Sequence, residues 1–106
     1  MKDLVIQIKA INKAWKLASE TMENEHPLAI NLRDLKARLQ IRLLRGYAPD
    51  SVYLTIDDET STDEPLFSLR LTSVIDGYSD VDHLPVRVAK ESLSDAEIQK
   101  FQFSKS

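Results

Sequence analysis

The sequence predicts an α+β fold: an N-terminal antiparallel helical hairpin packed on a three-stranded antiparallel meander, with a short C-terminal helix, in a two-layer sandwich. Three observations predict it. Up to Gly46, apolar residues recur at spacings of three and four, the repeat of one helix face. Beyond Gly46 the period falls to two, the repeat of a strand with one buried face. Near the end, Ser94 and Glu97 have capping-box spacing, which marks the start of another helix.

The first helix is expected from Lys2 to Thr21 or Met22. Leu4, Ile8, Ile11, Trp15, Ala18 and Met22 form a heptad seam along it, and such a seam requires a second helix beside it. Trp15 falls mid-seam and is expected to be buried near Leu35 and Leu39. Lys2, Lys9, Lys13, Lys16 and Glu20 occupy the opposite side and should be solvated. Ile6, Ala10 and Leu17 make a minor apolar stripe.

The central helix runs from Pro27 to Gly46 and organises the rest. Leu28, Leu32, Leu35, Leu39 and Leu43 share one face, and Ile30, Ala37, Ile41 and Leu44 form a second stripe. Two stripes mean cover on two sides: the first helix on one, the sheet on the other. Pro27 suits the first helical position, and Gly46 suits a left-handed residue just past the end. Arg42 and Arg45 complement the helix dipole in the last turn. A start at Leu32 with Asn31 as cap is the rival boundary; Leu28 and Ile30, which extend the two stripes, favour Pro27. The short link after the first helix favours an antiparallel hairpin.

The strands follow. Val52, Leu54 and Ile56 alternate with Ser51, Tyr53 and Thr55. Residues 57–65 form a polar, acidic loop. Phe67, Leu69 and Leu71 alternate with Ser68, Arg70 and Thr72, with Val74 and Ile75 as an extension. Asp76 to Asp80 reads as a turn. Leu84, Val86 and Val88 alternate with Pro85, Arg87 and Ala89 and predict a third strand. Pro85 cannot donate to a ladder, which places that strand at an edge. The last helix is expected from Asp95 to about Gln102, with Leu93 and Ile98 as a hydrophobic staple and Phe101 and Phe103 pinning it to the body. The tail from Ser104 should fray.

The whole chain of 106 residues fits one domain. It contains no cysteine, which excludes disulfides and thiolate metal sites. The N-terminal stretch lacks the unbroken apolar run of a signal peptide, and no stretch approaches the roughly 18 apolar residues of a spanning helix. The expectation is a soluble, cytoplasmic protein with no membrane association. Residues 1–49 hold nine lysines and arginines against five acids, and residues 50–106 hold five against twelve, within a net charge of −3. Such a split marks either a two-faced surface or two halves that attract each other.

No catalytic set stands out. The serines lack an elbow or lysine-spaced motif, the two histidines, His26 and His83, lie apart in the sequence, and two glycines cannot build a Gly-rich phosphate loop. No cofactor is implied. Asp57, Glu59, Ser61 and Asp63 alternate as in a calcium loop, but Thr62 and Ser68 stand where the glycine and glutamate are needed. Asp80, Asp82 and His83 cluster as hard ligands. In both places a solubilising acidic turn is the plainer reading, and no metal site is assigned. Two binding surfaces are candidates. In a meander Tyr53, Arg70 and Arg87 share the outer sheet face, where an aromatic ring beside two guanidiniums can hold a phosphate, a carboxylate or a stacked base. Arg38, Arg42 and Arg45 line one side of the central helix, where phosphates could lie.

The function expected is a small non-catalytic binding or adaptor protein acting through protein–protein contacts, with a protein partner or a homodimer. A nucleic-acid-associated regulator using the basic helix or sheet residues is the alternative, disfavoured by the negative net charge. The homodimer is expected because one sheet face should not cover both Ile6–Ala10–Leu17 and Ile30–Ala37–Ile41–Leu44.

Overall fold

A computed structural model of the chain describes residues 1–21, 26–57 and 65–102. In order they form α1 (Lys2–Thr21), α2 (Pro27–Tyr47), β1 (Val52–Asp57), β2 (Leu66–Ile75), β3 (Tyr78–Pro85), α3 (Val86–Ser92) and α4 (Asp95–Phe101). The sheet is an antiparallel meander of order β1-β2-β3. The α1–α2 hairpin packs on the β2–β3 hairpin, and α4 sits by the free edge of β1, where Gln102 bridges to Leu54. The expected α+β sandwich of helical hairpin, meander and short C-terminal helix is the observed fold.

Register follows the apolar alternation. Val52 lies opposite Leu71, Leu54 opposite Leu69, and Phe67 opposite both Ile56 and Leu84. Val52, Leu54, Phe67, Leu69, Leu71 and Leu84 are buried and meet Ala37, Ile41 and Leu44 in one core. Leu39 and Leu43 of the first stripe belong to the same core. The β2–β3 turn is Asp76-Gly77, both at positive φ (50° and 83°), the backbone of a two-residue hairpin turn that favours Asp-Gly.

The third strand differs from the sequence expectation. It begins at Tyr78 and ends at Pro85, and Val86–Ser92 is helical. Pro85 ends the strand, and a bulge lies within it. Ser68 pairs with His83 but Arg70 pairs with Asp80, so β3 holds one residue more than β2 over that stretch. Asp82 absorbs it at φ 67°. A bulge breaks strict alternation, so Val81 and Leu84, three apart, are both buried. The alternation of Leu84, Val86 and Val88 is accidental: Pro85 ends β3, an edge strand as expected, and stands at the N-cap of α3.

Two helix details also differ. Gly46 lies within α2, not beyond it. The helix ends at Ala48, extended at φ −82°, ψ 148°, before a cis Ala48–Pro49 bond. Proline disfavours helical backbone in the residue before it, so Pro49 rather than glycine stops the helix. At the N-terminus His26 caps α2, its Nδ1 accepting from the Leu28 N–H at 3.2 Å. On α1, Val5 and Ile8 are fully buried and Lys9 is turned inward, away from the solvated side expected for it. The last helix starts as expected: Ser94 Oγ accepts from the Glu97 N–H and Glu97 Oε1 accepts from the Ser94 N–H, each at 3.1 Å. Leu93, Ile98 and Phe101 are buried around it. Met22, Phe103, the tail and the alternating calcium-like positions from Glu59 to Asp63 lie outside the described residues.

Candidate functional site: a cleft between α1, α2, β3 and α3

The central helix carries a polar pair on its inward side. Lys36 and Gln40, one turn apart, fall in the arc between the two apolar stripes of α2, and both are buried. Since an arc closed on both sides by apolar packing is itself enclosed, these side chains must find partners inside. The Gln40 Nε2 donates to the carbonyls of Val81 (2.9 Å) and His83 (3.2 Å). Those carbonyls flank Asp82, so the amide holds the bulge of β3. The same two bonds fix the orientation of the amide. Its Oε1 is buried and has no partner among the described residues, as is Asp82 Oδ2.

Lys36 Nζ donates to Asn12 Oδ1 at 3.2 Å and stands 5.2 Å from the centre of the Trp15 ring, within cation–π range. Burial pushes the Lys36 ammonium below its ordinary range; Asp82 offsets this in part, while Lys16, Arg33 and Lys9 push it further down. These groups line a cleft of about 530 Å³ at the junction of α1, α2, β3 and α3, within the usual size of small-ligand sites. Leu66, Leu84, Pro85 and Val88 supply apolar wall, and Arg87 and Glu91 close the α3 side.

Next to the cleft, Lys9 Nζ reaches Asp82 Oδ1 at 2.8 Å and Asp80 Oδ1 at 3.1 Å and lies over the Tyr78 ring at 4.7 Å. Burial alone would lower the Lys9 pKa, but the hydrogen bonds to Asp82 and Asp80 outweigh it and raise it. Burial would raise Asp80, but the Asp82 N–H and the Lys9 ammonium hold its carboxyl below the usual range. The two acids suspected as metal ligands are thus held by a lysine. Among the described residues, no group of three or more His, Cys, Asp or Glu could hold a metal ion.

The sheet-face trio is divided. Tyr53 and Arg70 are register partners in β1 and β2, with Arg70 exposed. Arg87 is not on the sheet: it belongs to α3, lines the cleft, and pairs with Glu91 at 3.6 Å. The reason is the end of β3 at Pro85. Arg38, Arg42 and Arg45 do share one side of α2, around a shallow groove with Ile41 and Ser92. Arg45 is committed there, with Nε 3.0 Å from Glu97 Oε2 and Nη2 2.9 Å from the Ser92 carbonyl. Trp15, expected in the core near Leu35 and Leu39, is half-buried on the cleft, and Leu35 is 43% exposed. Sequence reasoning passed over Lys36 and Gln40. Their signal was present in their place between two apolar stripes. The bulge that supplies Gln40 with carbonyls had no such signal.

Comparison of the chain with protein-family models, with curated proteins and with solved structures finds no match. No described helix is long and apolar enough to cross a membrane.

Proposed function

We propose that this is a small, non-catalytic binding or adaptor protein that works through protein–protein contacts in the cytoplasm. The observation that carries the reading is the set of leucines left outside the core of the helical hairpin: Leu17, Leu28 and Leu35 are 64%, 46% and 43% exposed. Isolated surface leucines are ordinary, but several on one two-helix unit supply the apolar anchors that interfaces use. The absence of cysteine from the sequence suits a reducing compartment. A partner chain, including a second copy, would cover these leucines.

The test is a complex of defined mass. Protein from its native source should co-purify a second chain, or associate with itself, as measured by light scattering. The triple variant Leu17→Ser, Leu28→Ser, Leu35→Ser should stay folded and lose that association. Equal association by the folded variant, or turnover of a substrate, would overturn the reading.

A second reading, nucleic-acid association, draws on Arg38 and Arg42, both exposed beside the groove on α2. It requires affinity for single- or double-stranded nucleic acid that falls steeply with salt and drops again in Arg38→Ala/Arg42→Ala.

A further inference from the structure

Lys36 carries a charge that the fold encloses without binding an opposite one to it. The residue is only 9% exposed, yet it lines the cleft. The Asn12 amide oxygen at 3.2 Å and the Trp15 ring at 5.2 Å hold its ammonium, and both residues line the same cleft. The ammonium therefore stands at the wall of the cleft and not behind it. Among the described residues both of these partners are neutral, and no carboxylate is bonded to it. An ammonium has more donors than one amide oxygen uses, and a buried charge is costly unless it is paired. The nearby acids are engaged elsewhere: Asp80 and Asp82 hold Lys9, and Glu91 pairs with Arg87. That leaves the exposed Asp34 against Lys16, Arg33 and Lys36 on the lining. Lys16 and Arg33 stand close enough to oppose the Lys36 charge, and Asp82 offsets them only through space.

We propose that the cleft binds a small carboxylate with an apolar or aromatic body, its carboxylate accepting from the Lys36 ammonium and its body lying on Trp15, Leu66, Pro85 and Val88. A carboxylate takes a charge-assisted hydrogen bond from an ammonium and supplies the missing opposite charge. The four wall residues line the cleft and are only half-buried, so their apolar surface is open to a ligand. A doubly charged phosphate fits less well, because Asp34, Asp80 and Asp82 border the same cleft and repel it. The cleft volume of about 530 Å³ leaves room for a body as large as a substituted ring. This site is separate from the exposed leucines, so either proposal can fail alone.

Trp15 is the sole tryptophan, so its fluorescence reports on the cleft directly. The intact protein is titrated with phenylacetate, phenylpropionate and hexanoate, and with acetate and inorganic phosphate for comparison. The expected result is saturable binding of at least one of the first three, with a Kd of about 1 mM or tighter. Its uncharged amide, and acetate, which lacks the apolar body, should each bind at least about tenfold more weakly. Asn12→Asp places a carboxylate of the protein's own where the Lys36 ammonium already bonds. It should raise the melting temperature and weaken binding at least about tenfold, because the charge is then paired from within. Lys36→Met should abolish binding with the helical signal in circular dichroism retained; should that variant not fold, Asn12→Asp decides alone. No saturable binding at that concentration, equal binding of the amide, phosphate bound more tightly than every carboxylate, or unchanged binding by Asn12→Asp would overturn the proposal. A purely structural role for Lys36 would move the melting temperatures of the variants while the parent protein bound no carboxylate.

Discussion

Lys9 Nζ lies 2.8 Å from Asp82 Oδ1, with side chains only 15% and 12% exposed, and so joins the first helix to the bulge of the last strand. Asp82 has one oxygen on this lysine and another with no partner among the described residues. Lys9→Met would leave a part-buried carboxylate largely uncompensated. It should destabilise the fold by about 2–4 kcal/mol, near the range for breaking a buried pair. The double variant Lys9→Met/Asp82→Asn should recover part of that loss. Urea unfolding of the four proteins of the cycle measures the coupling, and additive losses would refute it.

The second contact of Lys9, with Asp80 at 3.1 Å, sets a pH dependence. The folded-state pKa of Asp80 is lowered by the Asp82 N–H and by Lys9. A depressed carboxylate stabilises the fold above its unfolded value, and that contribution is lost as the pH falls through the folded value. Stability should decline on the acid side of the ordinary carboxylate range, and Asp80→Asn should flatten the decline. Lys9 works on the other side: its raised pKa gives a contribution present below the ordinary lysine value and lost only as the pH climbs through the raised one. Denaturation midpoints taken from mildly acidic to strongly acidic pH test the first arm. A slope unchanged in Asp80→Asn would sink it.

Most of the fold was legible because most of it obeys one period at a time. Val52, Leu54, Phe67, Leu69 and Leu71 alternate without a break and sit where alternation puts them. Ser94 and Glu97 form the capping box their spacing implies. In the third strand the period itself changed. The extra residue at Asp82 hid Val81 from a period-two reading, and the accidental alternation of Leu84, Val86 and Val88 put Arg87 on a sheet whose strand ends at Pro85. Lys36 and Gln40 were passed over for a different reason: only their angular position between two apolar stripes marks them for burial. Lys9, expected on the solvated side, was misread because no sequence pattern announces that two acids of a distant strand will meet it.

Trp15 tests how open the cleft is. It is half-buried, with the Lys36 ammonium over its ring. Its emission maximum should fall between those of a core and a fully hydrated indole. Trp15→Ala should cost about 2–3 kcal/mol, less than or at the low end of the penalty for a sealed core aromatic. Iodide should quench it more strongly than a neutral quencher of similar accessibility, because Lys36, Lys16 and Arg33 draw the anion in. Quenching without charge preference would contradict the cationic wall.

Ser94→Ala should destabilise the protein by about 1 kcal/mol, because the Glu97 N–H loses its cap. Glu97 connects this cap to the central helix: the Arg45 hydrogen bond, with help from the Ser94 N–H, holds its carboxyl below the usual range. Arg45→Met should therefore weaken hydrogen-exchange protection in residues 95–101 as well as in the end of α2. Protection lost in α2 alone would separate the two elements.

Self-association is the last expectation, and of the two stripes that raised it the fold leaves one exposed. Of the two stripes that one sheet face was not expected to cover, Ala37, Ile41 and Leu44 are buried in the common core, with Ile30 half-buried. The stripe on α1 stays outside: Ile6 is 39% and Leu17 64% exposed, with Ala10 exposed between them. A two-fold dimer that paired α1 with its copy would bury this stripe against itself, the commonest closed arrangement. Lys2 and Lys13 lie exposed on the same helix, so like charges would face each other unless the helices cross at an angle. Association should therefore be weak and strengthen with salt, opposite to an ion-paired interface. Light scattering across a concentration series at low and high salt should show a mass rising from 12.1 kDa toward twice that value, and Leu17→Glu should hold it at the lower one. A single-chain mass at every concentration and salt would leave α1 facing solvent or a different partner.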